Sequence, residues 1–303
     1  MNKQAKIISS HIVHNNIGEV RFLDYAIENM PTILSRNSAK KAIKNGELTL
    51  DGKVVESGRF VKQGQVIEYL KSEAATNRIF KLDLPVVFED NHIAVINKLA
   101  GLSVSGNYFK TLQNALPYNL MPSTATDALQ IFRPAHRLDN QTSGVVIVAK
   151  TQSALINLSK QFEKKTIKKT YAAVVIGKPE SRGIIDFDIE GKKAVSEYEL
   201  LTTVNSIKYN SISLLKLSPL TGRTHQLRIH LSKIGHPVLG DRLYTSPELL
   251  FKGKGLFLSA VSVRFMHPEK NKLVEFAIET PHKFNALLNR EQKRYDSAFS
   301  DKL

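Results

Sequence analysis

His136-Arg137-Leu138-Asp139-Asn140-Gln141-Thr142-Ser143-Gly144-Val145-Val146-Ile147-Val148-Ala149-Lys150 is the stretch on which the fold and the chemistry of this chain turn. Its second half, 145–149, is apolar, β-branched and short, which predicts a buried strand. Its first half is polar and ends in Thr142-Ser143-Gly144, residue types that turn a backbone. Asp139 is therefore expected in a loop that a rigid strand holds in place. A lone Asp in a loop is most often a turn former. What sets this one apart is its basic company, with Arg133 and Arg137 ahead of it and Lys150 behind.

Working outward, the surrounding pattern is mostly strands. Val86-Val87-Phe88 and Ile93-Ala94-Val95-Ile96 flank a polar turn, and residues 103–130 read as loop. Thr151 is placed to cap a helix through Phe162, with Leu155, Leu158 and Phe162 on one face. Lys164-Lys165-Thr166-Ile167-Lys168-Lys169-Thr170 then leads into a strand, 171–176, that Gly177 ends. Further strand-like runs lie at 195–201, 211–217, 256–265 and 273–280, and a last helix is expected over 282–294. Between them, Thr221-Gly222 closes a strand, and Leu227, His230, Leu231 and Ile234 fall at helical spacing, which puts Arg223 at a strand-to-helix junction. Strands outnumber helices without alternating with them. The expected fold class is α+β, a mixed and largely antiparallel sheet over 84–295, and not a doubly wound α/β fold.

Ahead of it, 18–70 reads as a separate small α+β module, with 1–17 and 296–303 as tails and 71–83 as a polar linker. Leu23, Ala26, Ile27 and Met30 make a helical stripe that Pro31 stops. Ser35 is a plausible cap and Gly46 a plausible end for a second helix. Ala39, Ala42 and Ile43 face inward on it, while Arg36, Lys40 and Lys44 share an outward stripe with Lys41 beside them. Asp51-Gly52 between Leu48-Thr49-Leu50 and Val54-Val55 predicts a hairpin, and Val61, Val66 and Ile67 supply a further strand. A solvated face is the ordinary reading of such a basic stripe. Without interleaved acids, though, the charges repel unless something anionic lies alongside, and phosphate binding explains them more economically.

Composition narrows the function. Lys plus Arg is 43 against 28 Asp plus Glu, a formal net charge of +15 over 303 residues, which suggests a polyanionic partner. There is no cysteine, which excludes disulfides, thiolate chemistry and Cys-ligated zinc. No apolar run approaches the ~20 residues of a membrane span, and the first residues lack the apolar core of a signal peptide. The cytoplasm is the default expectation. His225 and His230 lie five apart, roughly 140° around a helix, so they do not form a zinc pair. No glycine-rich phosphate loop is present. Ser143 near His136 and Asp139 lacks the nucleophile elbow of a hydrolase. What is left is an Asp among cations, which stays ionised and serves as nucleophile, general base or plain ion-pair partner.

The run HRLDNQTSG closely resembles the hallmark of RluA-type pseudouridine synthases. Lys169-Thr170-Tyr171 and Thr221-Gly222-Arg223-Thr224-His225-Gln226-Leu227-Arg228-Ile229-His230 resemble that family's second and third elements, and Gly240-Asp241, Tyr244 and His267-Pro268 its closing pattern. The likeness spans about 85–282. Arg21-Phe22-Leu23-Asp24, Leu34-Ser35-Arg36, Ile43-Lys44-Asn45-Gly46 and Asp51-Gly52-Lys53 are similar to the alpha-L RNA-binding module. Leu99 stands where the synthases usually have Pro, and Ser259 where a His is common. The resemblance implies cofactor-free isomerisation of uridine in ribosomal or transfer RNA, with Asp139 as the catalytic carboxylate; a monomer is expected. It implies that Tyr171 stacks on the uracil and assists proton loss from carbon-5, that Arg223 pairs with Asp139, and that Arg137 fills the gap left by a flipped nucleotide. Arg36, Lys40, Lys41, Lys44 and Arg228 are then expected on RNA. The competing readings are a non-catalytic RNA-binding or ribosome-assembly protein, and a membrane-surface protein, for which the 36–45 helix lacks a broad apolar face.

Overall fold

The structure is a computed structural model and describes residues 5–14, 18–30, 33, 35–72 and 79–299. The chain divides into two compact units, Met1–Arg78 and Ile79–Leu303.

In the first unit β1 (Ala5–Ile12), α1 (Phe22–Asn29), α2 (Arg36–Lys44), β2 (Leu48–Leu50) and β3 (Val66–Ser72) build an antiparallel sheet in the order β1-β3-β2 with two helices. Phe22, Leu23 and Ala26 of α1 meet Ala39, Ala42 and Ile43 of α2 in one core with Leu48 and Ile67. Ser35 starts α2 with a reciprocal capping box, its Oγ accepting from Ser38 N at 3.2 Å while Ser38 Oγ accepts from Ser35 N at 3.1 Å. Asp51 and Gly52 both take positive φ and form a two-residue turn.

Two expectations fail in this unit. The turn is not followed by a strand at 54–55, and Val54 is exposed; β2 pairs with β3 instead, where the Asp51 carboxylate accepts from Val66 N and Gln65 Nε2 at 2.8 Å each. The 1–17 stretch is not a plain tail, since β1 adds a strand to the sheet. Its polar residues carry too little alternation to announce an edge strand. Pro31 as a helix stop, Leu34 of the Leu34-Ser35-Arg36 match and residues 73–78 of the linker lie outside the described residues.

The second unit contains β4 (Val86–Glu89), β5 (Ile93–Lys98), α3 (Leu112–Asn119), β6 (Ala128–Pro134), β7 (Ser143–Thr151), α4 (Gln152–Glu163), β8 (Lys168–Ile176), β9 (Arg182–Asp186), β10 (Val195–Ser206), β11 (Asn210–Pro219), α5 (Gln226–Lys233), β12 (Leu258–Met266), β13 (Leu273–Ala277) and α6 (His282–Phe299). One ten-stranded sheet runs β4-β5-β7-β12-β8-β11-β10-β9, with β6 on β7 and β13 on β12. Among its pairings β7–β12 is parallel and the rest are antiparallel. The α+β class with a mixed, largely antiparallel sheet therefore holds. Residues 103–130 are not loop throughout: Thr111 caps α3 by accepting from Asn114 N at 3.2 Å, and β6 begins at Ala128. Pro117 inside α3 disguises it, because proline removes a helical donor. The last helix also continues past 294 to Phe299, into the stretch expected to be a tail.

Strand alternation sorts the sheet's two faces. In β8, Tyr171, Ala173 and Val175 join the core that holds Leu227 and Leu231 of α5, while Ala172, Val174 and Ile176 join the core under Phe284, Leu287 and Leu288 of α6. Gly144 lets β7 and β12 come together: its φ is +115°, and a Cβ there would collide with the Ala260 backbone. The β7–β12 junction sets the Asp139 loop beside the middle of the sheet, with only β12 between β7 and the Tyr171 strand.

Candidate active site

A cleft of about 540 Å³ in the second unit is lined by Arg137, Asp139, Tyr171, Arg223, His225 and Arg228, among others. That volume falls in the ordinary range of small-ligand pockets.

The Asp139 loop is anchored from below. Thr142 N donates to the Asp139 carbonyl at 3.1 Å, and Gly101 N donates to the Asn140 carbonyl at 2.8 Å. Lys98, fully buried at the end of β5, donates from Nζ to the carbonyls of Leu102 (2.7 Å), Leu99 (2.9 Å) and Asn140 (3.2 Å). Burial lowers its ammonium to about 8, while the charge of Asp139 works the other way. Leu99 thus contributes a backbone carbonyl, which its side chain does not alter. Asn140 Nδ2 adds bonds to Gly101 O and Ser103 Oγ. His136, ahead of the loop, accepts from Ile147 N at Nε2 and packs on Phe162. Burial, then the charge of Lys169, lowers its imidazole to about 3, so it is neutral and structural. Ser143 donates to Ser259 Oγ at 3.1 Å and, among the described residues, has no histidine partner of the hydrolase kind.

The Asp139 side chain is 24% exposed and meets two cationic or polar groups. Arg228 Nη1 stands 3.6 Å from Oδ2, and His225 Nε2 stands 3.9 Å from Oδ1. Arg228 itself is buried and commits its fork to Asp241, with Nε to Oδ2 at 2.6 Å and Nη2 to Oδ1 at 2.8 Å. Asp241 also accepts from Leu243 N and Tyr244 N. Burial would raise this carboxyl, but the Arg228 bonds and the two backbone donors outweigh it and hold it below the carboxylate range. Tyr171 lines the cleft from β8, buried to 9% exposure. Burial, and then the charge of Asp139, push its phenol well above the ordinary value.

The structure corrects the expected pairing. Arg223 lines the cleft but does not pair with Asp139: its Nε donates to the Lys193 carbonyl at 3.1 Å. The guanidinium that faces Asp139 is that of Arg228, which was expected on RNA and is instead buried between two carboxylates. The cause is local. Gln226 accepts from Thr221 Oγ1 and Arg223 N and donates to Val195 O and Ser196 Oγ, which locks the turn. His225 then takes a left-handed φ of +53°, so helix α5 begins in a new direction and presents Arg228 to the cleft. Arg137 is exposed on the cleft wall. Arg36, Lys40, Lys41 and Lys44 are exposed on α2 of the first unit, and Arg36 is ion-paired with Asp24 of α1 at 2.7 Å, so the stripe is less unpaired than its own helix suggests. His225 and Asp241 stand out in the sequence only as parts of motifs, and no role at the site was expected of them or of Lys98. Asp241 had a signal, since a Gly-Asp step opening a turn beside a buried arginine is a natural counter-ion.

Relatives bear on this site. The family described as "RNA pseudouridylate synthase" matches residues 92–233. The chain is 33% identical over 298 residues to an "Uncharacterized RNA pseudouridine synthase" of Aquifex aeolicus, covering 89% of this chain and 93% of that protein. It is equally 33% identical over 299 residues to "Ribosomal large subunit pseudouridine synthase D" of Zymomonas mobilis, covering 88% and 92%. Among solved structures, "Human RNA Pseudouridylate Synthase Domain Containing 1" aligns at a TM-score of 0.55 and 27% identity, over 69% of this chain and 86% of that one. Motif, fold and whole-length similarity agree: the chain belongs to the RNA pseudouridylate synthase family, in its RluA-type branch.

Proposed function

We propose that the cleft isomerises uridine to pseudouridine in ribosomal RNA, with Asp139 as the catalytic carboxylate. One observation carries this reading: at 3.6 and 3.9 Å from Arg228 and His225, the Asp139 oxygens are oriented by cationic and polar groups but bound tightly by neither. Attack on the sugar, addition to the base and removal of a sugar proton all need such an oxygen. The reaction breaks the bond from ribose C1′ to N1 and joins C1′ to C5; C5 gives up its proton and N1 ends with one, so no redox cofactor is called for. Tyr171 is a neutral phenol on the cleft wall, which supports stacking on uracil over proton removal as a phenolate. Arg223 and Arg137, which both line the cleft, serve the flanking strand, Arg137 in the space of the flipped nucleotide. Ring chemistry needs an unstacked base, and single-stranded loops offer one at the lowest cost.

The names of relatives such as the Zymomonas mobilis protein favour ribosomal over transfer RNA. We place the reaction in the cytoplasm, where ribosomes are assembled. We take the protein to act as a monomer. The first unit, residues 18–70 with the β1 strand added, acts as an RNA-binding module through Lys40, Lys41, Lys44 and Arg36.

The test is a pseudouridine map of total RNA from cells carrying the wild type, a deletion or Asp139→Asn. Loss of the same ribosomal sites in the deletion and in Asp139→Asn is expected. Loss confined to transfer RNA would overturn the substrate; an unchanged map, with purified protein inert on both RNAs, would leave a non-catalytic binder.

A further inference from the structure

We propose that His225 is a positioning residue for the isomerisation: its Nε2–H holds Oδ1 of Asp139, and the Tyr244 hydroxyl fixes the tautomer that makes this possible. The inference rests on the reading of Asp139 as the catalytic carboxylate.

Three observations converge on this residue. His225 has a left-handed backbone with φ +53° although it carries a Cβ, at a helix start where its own side chain makes no cap bond. Glycine or asparagine would occupy that conformation more easily, so the turn by itself does not explain a histidine. Strain of this kind at a functional cleft points to a side chain that is needed there. Second, Nδ1 lies 2.8 Å from Tyr244 Oη, while Nε2 on the other side of the ring faces Asp139 Oδ1 at 3.9 Å. A neutral imidazole has one N–H. With a carboxylate ahead of Nε2, the proton belongs on Nε2, and Nδ1 accepts from the phenol. Third, Tyr244 is itself fixed: its N–H donates to Asp241, and its ring lies 5.1 Å from the Arg228 guanidinium. The two groups that address Asp139 are thereby built on one support. Arg228 sets Oδ2 and His225 sets Oδ1, which defines the plane of the carboxylate. The 3.9 Å separation suits a free enzyme, since such contacts tighten when substrate binds.

The test uses the full chain with an unmodified ribosomal RNA transcript, measuring single-turnover rate, RNA affinity by filter retention, and unfolding midpoint. His225→Asn keeps a residue that tolerates positive φ and can still meet Tyr244, but it is too short for Asp139. Its rate should fall about 10- to 100-fold, the scale of a small misplacement of a reacting group, with affinity and midpoint unchanged. His225→Gln, whose amide nitrogen reaches the Nε2 position, should recover part of that loss, and Tyr244→Phe should show a smaller loss of the same kind. In the wild type, imidazole nitrogen NMR should show the proton on Nε2. A wild-type rate in His225→Asn, a loss matched by weaker RNA binding or a lower midpoint, or a proton on Nδ1 would overturn the proposal. Asp139→Asn runs alongside: if it remains active, the catalytic reading of Asp139 falls; if it is dead while His225→Asn is normal, only the role of His225 falls.

Discussion

Arg228 divides its attention between two carboxylates, and the division is unequal. Asp241 receives both close bonds, at 2.6 and 2.8 Å, and Asp139 receives a 3.6 Å approach. A carboxylate in a tight bidentate pair has its lone pairs committed; Asp241 absorbs that role and leaves Asp139 oriented and available. With Asp139 as the proposed catalytic carboxylate, Asp241 protects reactivity at a residue it does not touch. Replacing it with asparagine leaves the Arg228 charge buried without its counter-ion, at a cost of about 3 kcal/mol in stability. It also frees the guanidinium to close on Asp139. For Asp241→Asn we expect an unfolding free energy, from denaturant titration, lowered by that amount and a single-turnover rate at least about tenfold lower, with RNA affinity retained. A stability loss with a normal rate in the residual folded protein would reduce Asp241 to a structural counter-ion. Which arginine serves the site was not legible in the sequence. Arg223 and Arg228 share one motif, and only the left-handed turn at His225 decides which of them enters the cleft.

At the scale of elements, much was legible. The β-branched run at 145–149 is a buried strand, Thr151 caps α4 by accepting from Ala154 N, and Ser35 caps α2. These signals are local, and tertiary context had no reason to override them. What stayed hidden is decided at a distance: β1 exists because β3 offers it an edge, and α3 forms around Pro117 because Leu112, Ala115 and Leu116 are buried in the core. The tie between β4–β5 and β12–β13 is equally non-local. Asp90 in the first turn accepts from His92 N and Ile93 N at 2.9 Å each, from His267 Nε2 at 2.8 Å and from Lys270 Nζ at 3.1 Å. Burial opposes ionisation there, but these donors prevail and lower the carboxyl to about 2. Its folded value is depressed, so its stabilisation is complete above the unfolded value near 4 and disappears as pH falls through about 2. The full contribution is about 2 kcal/mol. Unfolding free energy measured between pH 5 and pH 2 should fall less steeply in Asp90→Asn than in the wild type by that amount. Parallel curves would show that Asp90 adds nothing to the acid sensitivity of the fold.

The whole molecule carries a net charge of +15, and its two units use that charge differently. In the second unit three cations of the Asp139 loop and cleft are turned to the protein: Lys98 to three carbonyls, Arg228 to Asp241, Arg223 to the Lys193 carbonyl. Committed to protein acceptors, those groups add little long-range attraction. In the first unit, Lys40, Lys41 and Lys44 project from α2 into solvent while Ala39, Ala42 and Ile43 hold the helix to its core. Among the described residues no side-chain hydrogen bond or ion pair holds these three ammonium groups, and their charges can be removed without touching the packing of Ala39, Ala42 and Ile43. Phosphate contacts release counterions, so each one adds roughly 0.7 to 0.9 to the slope of log affinity against log salt. For the triple substitution Lys40→Gln, Lys41→Gln and Lys44→Gln we expect that slope on ribosomal RNA to drop by about 2 to 3. Affinity at low salt should fall accordingly, while the single-turnover rate at saturating enzyme is kept. A rate that falls with an unchanged slope would place the stripe's effect in catalysis; an unchanged slope and rate together would return α2 to the role of a solvated face.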